Sequence, residues 1–236
     1  ATGRARVMTD LTGQLALVTG ASRGLGFAAA HAFGAAGAQV VALARTTGGL
    51  EELDEAIRAA GGLPATLVPL DITDDQGLAR MGAALYERWG RVDLWLHTAA
   101  YAPPMAPAAH IAEKELDTAL AVNVRAFQRL VRVVDPLLRL AEAPLAMAAA
   151  DGGAGESFKG LYGATKAAQS ALVHAWAAES AGRIRVAEVL PPPMGTALRG
   201  RFHPGENRDA LTRPDAVAER LLSVLPHLAH GTRERL

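Results

Sequence analysis

Six short apolar runs, each followed by a longer segment, constrain this chain more than any other feature. The runs are Leu15–Thr19, Val40–Ala44, Ala65–Leu70, Val92–His97, Leu145–Ala149 and Arg185–Leu190. Most are continuously hydrophobic rather than alternating, the pattern of strands covered on both faces. Between them lie Leu25–Ala36, Leu50–Ala60, Asp74–Trp89, Ala112–Leu140 and Tyr162–Ala181, all long enough for crossover helices. Pro214–Leu225, with proline in its first turn, reads as a further helix. This alternation predicts an α/β, doubly wound three-layer fold, with a mostly parallel sheet of six to seven strands and helices on both faces.

Local punctuation agrees. Gly37 and Gly61 stand where helices should stop, and Thr73 with Gln76 reads as a capping box for the third helix. Glu188 is the exception, because a carboxylate in a buried parallel strand is costly unless paired. No linker or repeat divides the chain, so residues 9–236 are expected to form one domain, with 1–8 as a leader outside it. Met8–Gln14 is too polar to continue Arg4 and Arg6 into a membrane-inserting core. No apolar run is long enough to span a bilayer, and a cytoplasmic protein is expected.

Composition removes several function classes. Lys plus Arg equal Asp plus Glu at 24 each, so no basic excess favours nucleic acid or anionic lipid. The absence of cysteine excludes disulfides, thiolate catalysis and Cys-type zinc sites. The seven histidines are scattered, and no metal site is expected.

The first strand runs into Gly20-Ala21-Ser22-Arg23-Gly24-Leu25-Gly26 and then an Ala-rich helix. Gly20 permits a sharp turn, while Gly24 and Gly26 let backbone and helix approach a pyrophosphate. The helix N-terminus then offers free N–H groups and the positive end of its dipole. Further on, Tyr162 and Lys166 are four apart, and so neighbours on one helical face. A free phenol titrates near about 10. A nearby ammonium favours phenolate, so a lowered Tyr162 pKa is expected.

Thr19 through Gly26 resembles the T-G-x-x-x-G-x-G signature of the short-chain dehydrogenase/reductase family, whose fold is of the Rossmann type. The likeness covers roughly residues 10–225, with further matches in family order. Asp71, followed by Ile72, resembles the Asp that holds the adenine amine. Ala99 and Ala100 fall in the N-N-A-G segment, Asn123 in an N-V-x-A context, and Tyr162 to Lys166 form Y-x-x-x-K. Thr196 follows Pro191 at the distance of the Thr that touches the nicotinamide carboxamide.

The resemblance implies hydride transfer between a nicotinamide cofactor and a small carbonyl or alcohol substrate. Tyr162 would exchange the proton, Lys166 would hold the nicotinamide ribose and Asn123 would organise a water relay. Cofactor contacts would come from Gly20, Ser22, Arg23, Gly24, Leu25, Gly26, Arg45, Asp71, Ile72, Ala99, Ala100, Tyr162, Lys166, Pro191 and Thr196. NAD preference normally shows as an acid at the tip of the second strand, where this chain has Ala44. Arg45 and Arg23 suit the 2′-phosphate instead, so NADP(H) is expected over NAD(H). The family pairs subunits through its long helices, which implies a homodimer or homotetramer.

Departures from the pattern open a second reading. Ala149 stands where the family has the Ser that bonds the reacting carbonyl. Losing one such donor costs about 2.7–4 kcal/mol of transition-state stabilisation. Ser157 and Thr165 are nearby candidates to replace it. Ala100 replaces a glycine, and Pro191-Pro192-Pro193 replaces P-G, which stiffens the loop and removes donors. A dinucleotide-binding protein with little or no turnover is therefore the alternative. His97 reads better as a packed residue than as a base. Arg199, Arg201, Phe202, His203 and Arg208 are expected over the substrate, as a basic mouth for an anionic or acyl-carrier-linked molecule or as a solvated loop.

Overall fold

A computed structural model describes residues 9–236; the leader expected at 1–8 lies outside them. Seven strands form one parallel sheet: β1 (Leu15–Thr19), β2 (Gln39–Ala44), β3 (Thr66–Pro69), β4 (Leu94–His97), β5 (Leu145–Ala149), β6 (Arg185–Leu190) and β7 (Arg233–Arg235). Their order is β3-β2-β1-β4-β5-β6-β7. The chain steps outward from β1 to β3, then crosses back to place β4 on the other side of β1. This reversal leaves a crevice at the C-terminal ends of β1 and β4, where open parallel sheets bind ligands.

The helices are α1 (Gly24–Ala35), α2 (Thr47–Ala59), α3 (Asp75–Trp89), α4 (Glu113–Leu120), α5 (Ala126–Leu138), α6 (Gly160–Ser180), α7 (Ala197–Phe202) and α8 (Pro214–Val224). Alternate strand residues feed two cores. Ala16, Val18, Val40 and Ala42 meet Phe33, Leu53 and Leu221 on one face. Leu15, Leu17, Val41 and Leu43 belong with Leu78, Phe127 and Trp176 on the other. Both faces are dry, which is why the strands read as unbroken apolar runs.

Two local expectations need correction. Asp74, not Thr73, caps α3: its carboxylate accepts from Gly77 N at 3.0 Å, while Thr73 N and Oγ1 both bond Asp71. The helix expected over 112–140 runs without a break from Glu113 to Leu138 but is not α throughout, because a π turn over Ala121–Arg125 lies between α4 and α5. Apolar periodicity does not distinguish the two ladders, since one extra residue barely moves the buried stripe. The seventh strand, left open by the expected count of six to seven, forms with three residues beside β6.

β7 also accounts for Glu188. This carboxylate is 2% exposed, with Arg233 Nε at 2.7 Å, His174 Nε2 at 3.2 Å and the Ser170 hydroxyl donating to it. Arg233 sits opposite Glu188 in the β6–β7 register. The buried charge is thus paired across the sheet edge, and it ties β7 to β6 and α6.

Candidate active site

The glycine turn is packed too tightly for side chains at two positions. Gly20 has φ +90°, and a Cβ there would lie 2.6 Å from Ala99 N; one at Gly26 would lie 2.2 Å from Gly20 O. Both closures follow from the β1–β4 neighbourhood. Thr19 O accepts from Thr98 N and Ala99 N, and Thr98 Oγ1 donates to it at 3.0 Å. No side chain caps the first turn of α1, because its N-cap is Arg23, extended and exposed. Free N–H groups, a positive dipole end and a turn that lacks a Cβ at Gly20, Gly24 and Gly26 fit a pyrophosphate.

The remaining sequence-selected residues gather along the same edge of the sheet. Arg45 follows buried Ala44 at the end of β2, with Nη1 3.9 Å from Asp71 Oδ2 beyond β3. Ile72 is buried next to it. After β6, the loop carries Pro191 and returns Thr196 to Gly24, where a Cβ would touch the Thr196 methyl at 3.4 Å. Thr196 has a structural duty as well, since its Oγ1 caps α7 through Arg199 N at 3.3 Å.

Tyr162 and Lys166 lie in the first two turns of α6, 5% and 7% exposed. Lys166 Nζ donates to Ala149 O at 2.6 Å and to Gln169 Oε1. Burial lowers its pKa to about 8, against the pull of Asp151 and Glu188. The Tyr162 phenol is pushed the other way from expectation. Burial raises its pKa, and the Asp151 carboxylate raises it further. The lowering expected from Lys166 is not found: its ammonium is turned to Ala149 O and Gln169 Oε1, and the phenol sits among apolar groups with the Phe202 ring 4.9 Å from its own. In the protein alone Tyr162 is therefore an acid at neutral pH.

Asn123 falls inside the π turn and is buried. Its carboxamide holds the Tyr101 backbone, accepting from N at 2.7 Å and donating to O at 2.9 Å, and it also donates to Thr165 Oγ1 at 3.0 Å. Thr165 in turn donates to Tyr162 O. Thr165 is thus occupied inside α6 and does not replace a missing donor. Ser157 is exposed in the loop before the helix.

A cleft of about 200 Å³ ends on Tyr162. Its walls are mostly apolar, among them Pro103, Ile111, Phe158, Leu161 and Phe202. Two arginines of the expected basic mouth, Arg199 and Arg201, have partners. Arg199 is bound to Glu206 and Lys159 to Glu156, while Arg201 lies over the Tyr101 ring, whose hydroxyl bonds Glu115. Phe202, not a cation, is the α7 residue that meets Tyr162.

Comparison with known proteins decides the family. A family model described as enoyl-(acyl carrier protein) reductase matches residues 20–224. The chain belongs to the short-chain dehydrogenase/reductase family. Sorbitol dehydrogenase of Cereibacter sphaeroides is 34% identical over 69% of this chain, which corresponds to 62% of that protein's length. A Pseudomonas syringae protein described as a short-chain dehydrogenase superposes with TM-score 0.92 at 29% identity, covering 98% of this chain and 97% of that one. Another, from Escherichia coli CFT073 and solved with NADPH, superposes with TM-score 0.91 at 25% identity over 97% and 98% of the two chains.

Within this short-chain dehydrogenase/reductase, His97 is a packed residue. Its Nδ1 lies 2.7 Å from Thr19 Oγ1, its ring contacts Phe127, and Nε2 has no partner among the described residues. Burial, aided by the Lys166 charge, lowers its pKa to about 3. The unfolded chain therefore binds a proton below about pH 6.5 that the folded one refuses. This contribution to stability is intact above that pH and is lost on acidification, at about 1.4 kcal/mol per pH unit. Urea unfolding at pH 6 and pH 4.5 should show a His97→Phe variant losing about 2 kcal/mol less than the parent.

Sequence reading missed Gln169 and Asp151. The spacing of Gln169, three after Lys166, was an available signal, because i and i+3 share a helical face. Asp151 had none. Its proximity to Tyr162 and Lys166 arises from the loop between β5 and α6.

Proposed function

We propose that this protein is an NADP(H)-dependent oxidoreductase that interconverts a carbonyl and an alcohol, with an apolar substrate body lying in the cleft beside Tyr162. The observation that carries this reading is the convergence of the tight glycine turn, whose N-cap side chain makes no capping bond, with the Tyr162–Lys166 face of α6 at one sheet edge. The dinucleotide would be held by the turn from Gly20 to Gly26, by Asp71 and Ile72, by Ala99 and Ala100, and by Pro191 and Thr196. It would supply or accept the hydride. Tyr162 would give its phenolic proton to the substrate oxygen in reduction and take it back in oxidation. Lys166, with one ammonium hydrogen left after Ala149 and Gln169, would meet the nicotinamide ribose. Asn123 would shape the floor of the site through Tyr101.

The preference for NADP(H) rests on Arg45 and Arg23, with no acid at Ala44. The Arg45–Asp71 pair is long and both side chains are substantially exposed. Such a pair is worth about 0–1 kcal/mol, so a 2′-phosphate would readily capture Arg45. The NADPH held by the E. coli relative supports this choice. At a hundred times its dissociation constant a ligand adds about 2.7 kcal/mol, which is roughly 5–10 °C in melting temperature here. NADPH should give that shift at concentrations where NADH gives less, and Arg45→Ala should close the gap. Absence of any shift with either dinucleotide, or of NADPH oxidation with every apolar ketone and aldehyde tried, would reject the reading.

Ala149 favours a second reading, in which the protein binds dinucleotide and turns over little. NADPH binding without oxidation at high enzyme concentration, both before and after Ala149→Ser, is the result that reading requires.

A further inference from the structure

Lys166 is held by two acceptors, and one of them is unexpected for its position. The Gln169 side chain is 2% exposed, lies one turn along α6, and accepts from Lys166 Nζ through Oε1. Its Nε2 is buried with no partner among the described residues. A leucine would occupy similar space without burying an unpaired amide, so packing alone does not explain a glutamine there. We infer that Gln169 is a positioning residue: with the Ala149 carbonyl, it fixes the direction of the Lys166 ammonium while leaving its charge uncompensated. This role in turnover rests on the oxidoreductase reading given above.

The chemistry favours a carboxamide over the alternatives. An ammonium has three donors, and Ala149 O and Gln169 Oε1 engage two of them. Both acceptors are neutral, so neither of them cancels the positive charge of the ammonium. A carboxylate at 169 would hold the lysine as firmly but cancel that charge. The other groups that bear on Lys166 are Asp151 from the loop after β5 and Glu188 from β6, and the Lys166 charge also reaches His97 on β4. None of these occupies the third ammonium position through a direct hydrogen bond. With Ala149 offering no side-chain donor, the orientation of Lys166 carries more of the site's electrostatics than it otherwise would.

The chain contains only Lys114, Lys159 and Lys166, so its lysines can be followed individually. The intact protein, labelled with carbon-13 lysine, is titrated by nuclear magnetic resonance, and Lys114→Arg and Lys159→Arg identify the signals. Lys166 should titrate near 8. Gln169→Glu should raise its midpoint by about 1–3 pH units, and Gln169→Leu should lower it. Should the leucine variant fail to fold, the nearly isosteric glutamate variant carries the test. Midpoints unmoved in folded variants would overturn the inference. NADPH titration run in parallel separates the two claims. No binding would remove the redox reading, and the role of Gln169 in turnover with it, whatever the lysine does. Where turnover is found, the pH profile of kcat should follow the Lys166 midpoint, with KM for NADPH changing less. A kcat profile indifferent to a shifted midpoint would reduce Gln169 to a structural contact.

Discussion

Tyr162→Phe is expected to lower kcat by about 10²–10⁴-fold, the range for losing a positioned general acid–base group, while leaving the melting temperature unchanged. The stability half of this result comes from the site. The Tyr162 ring is buried against Phe202 and Ala102, whereas no hydrogen bond to its hydroxyl exists among the described residues. Removing the hydroxyl therefore breaks no internal bond. Lost activity with retained stability is the sign of a functional group rather than a structural one. The pH dependence also has a direction. Because burial and Asp151 raise the phenol pKa, the acid form persists through neutral pH. Carbonyl reduction should stay flat up to the Lys166 midpoint near 8, and alcohol oxidation should accelerate into alkaline solution. Stopped assays of both directions against pH would check this. A phenylalanine variant with parental kcat would remove Tyr162 from the chemistry.

Ala149→Ser should raise kcat by about 10²–10³-fold, the reverse of deleting one oxyanion donor. The end of β5 is set up for the change. Ala149 is the last residue of β5, its carbonyl already anchors Lys166, and its side chain is only partly buried. Adding one hydroxyl there requires no repacking of a dry core. The neighbours do not already do this work, because Thr165 Oγ1 is saturated by Asn123 and the Tyr162 carbonyl. Steady-state rates of the two proteins with one ketone would decide. A large gain would show that the other groups are aligned and that the native enzyme is slow for want of a donor. No gain in a variant that still binds NADPH would favour the low-turnover reading.

How much of this was legible beforehand varies with the range of the interaction. β1, β5 and β6 have the bounds expected from their apolar runs, since continuous hydrophobicity between glycines is a local signal. The glycine turn was legible for the same reason, and Gly20 and Gly26 prove intolerant of any side chain. The cap of α3 was misread by one residue, because Thr73 and Asp74 are both good capping types and only the Asp71–Thr73 bonds settle the choice. The π turn at Asn123 left no trace in hydrophobic spacing. Arg199 and Arg201 looked like a basic mouth because their partners, Glu206 and the Tyr101–Glu115 pair, meet them only through folding.

From residue order alone came the parallel α/β architecture, the tight turn after the first strand and the Tyr–Lys face of α6. Each depends on neighbours within a few residues, where backbone sterics and helical period dominate. The tertiary structure alone decided which charges are live. It paired Glu188 with Arg233, buried His97 as a neutral ring, raised the Tyr162 phenol and brought Lys166 to the Ala149 carbonyl. Ionisation follows desolvation and distance in space, and neither quantity exists until distant segments are packed together.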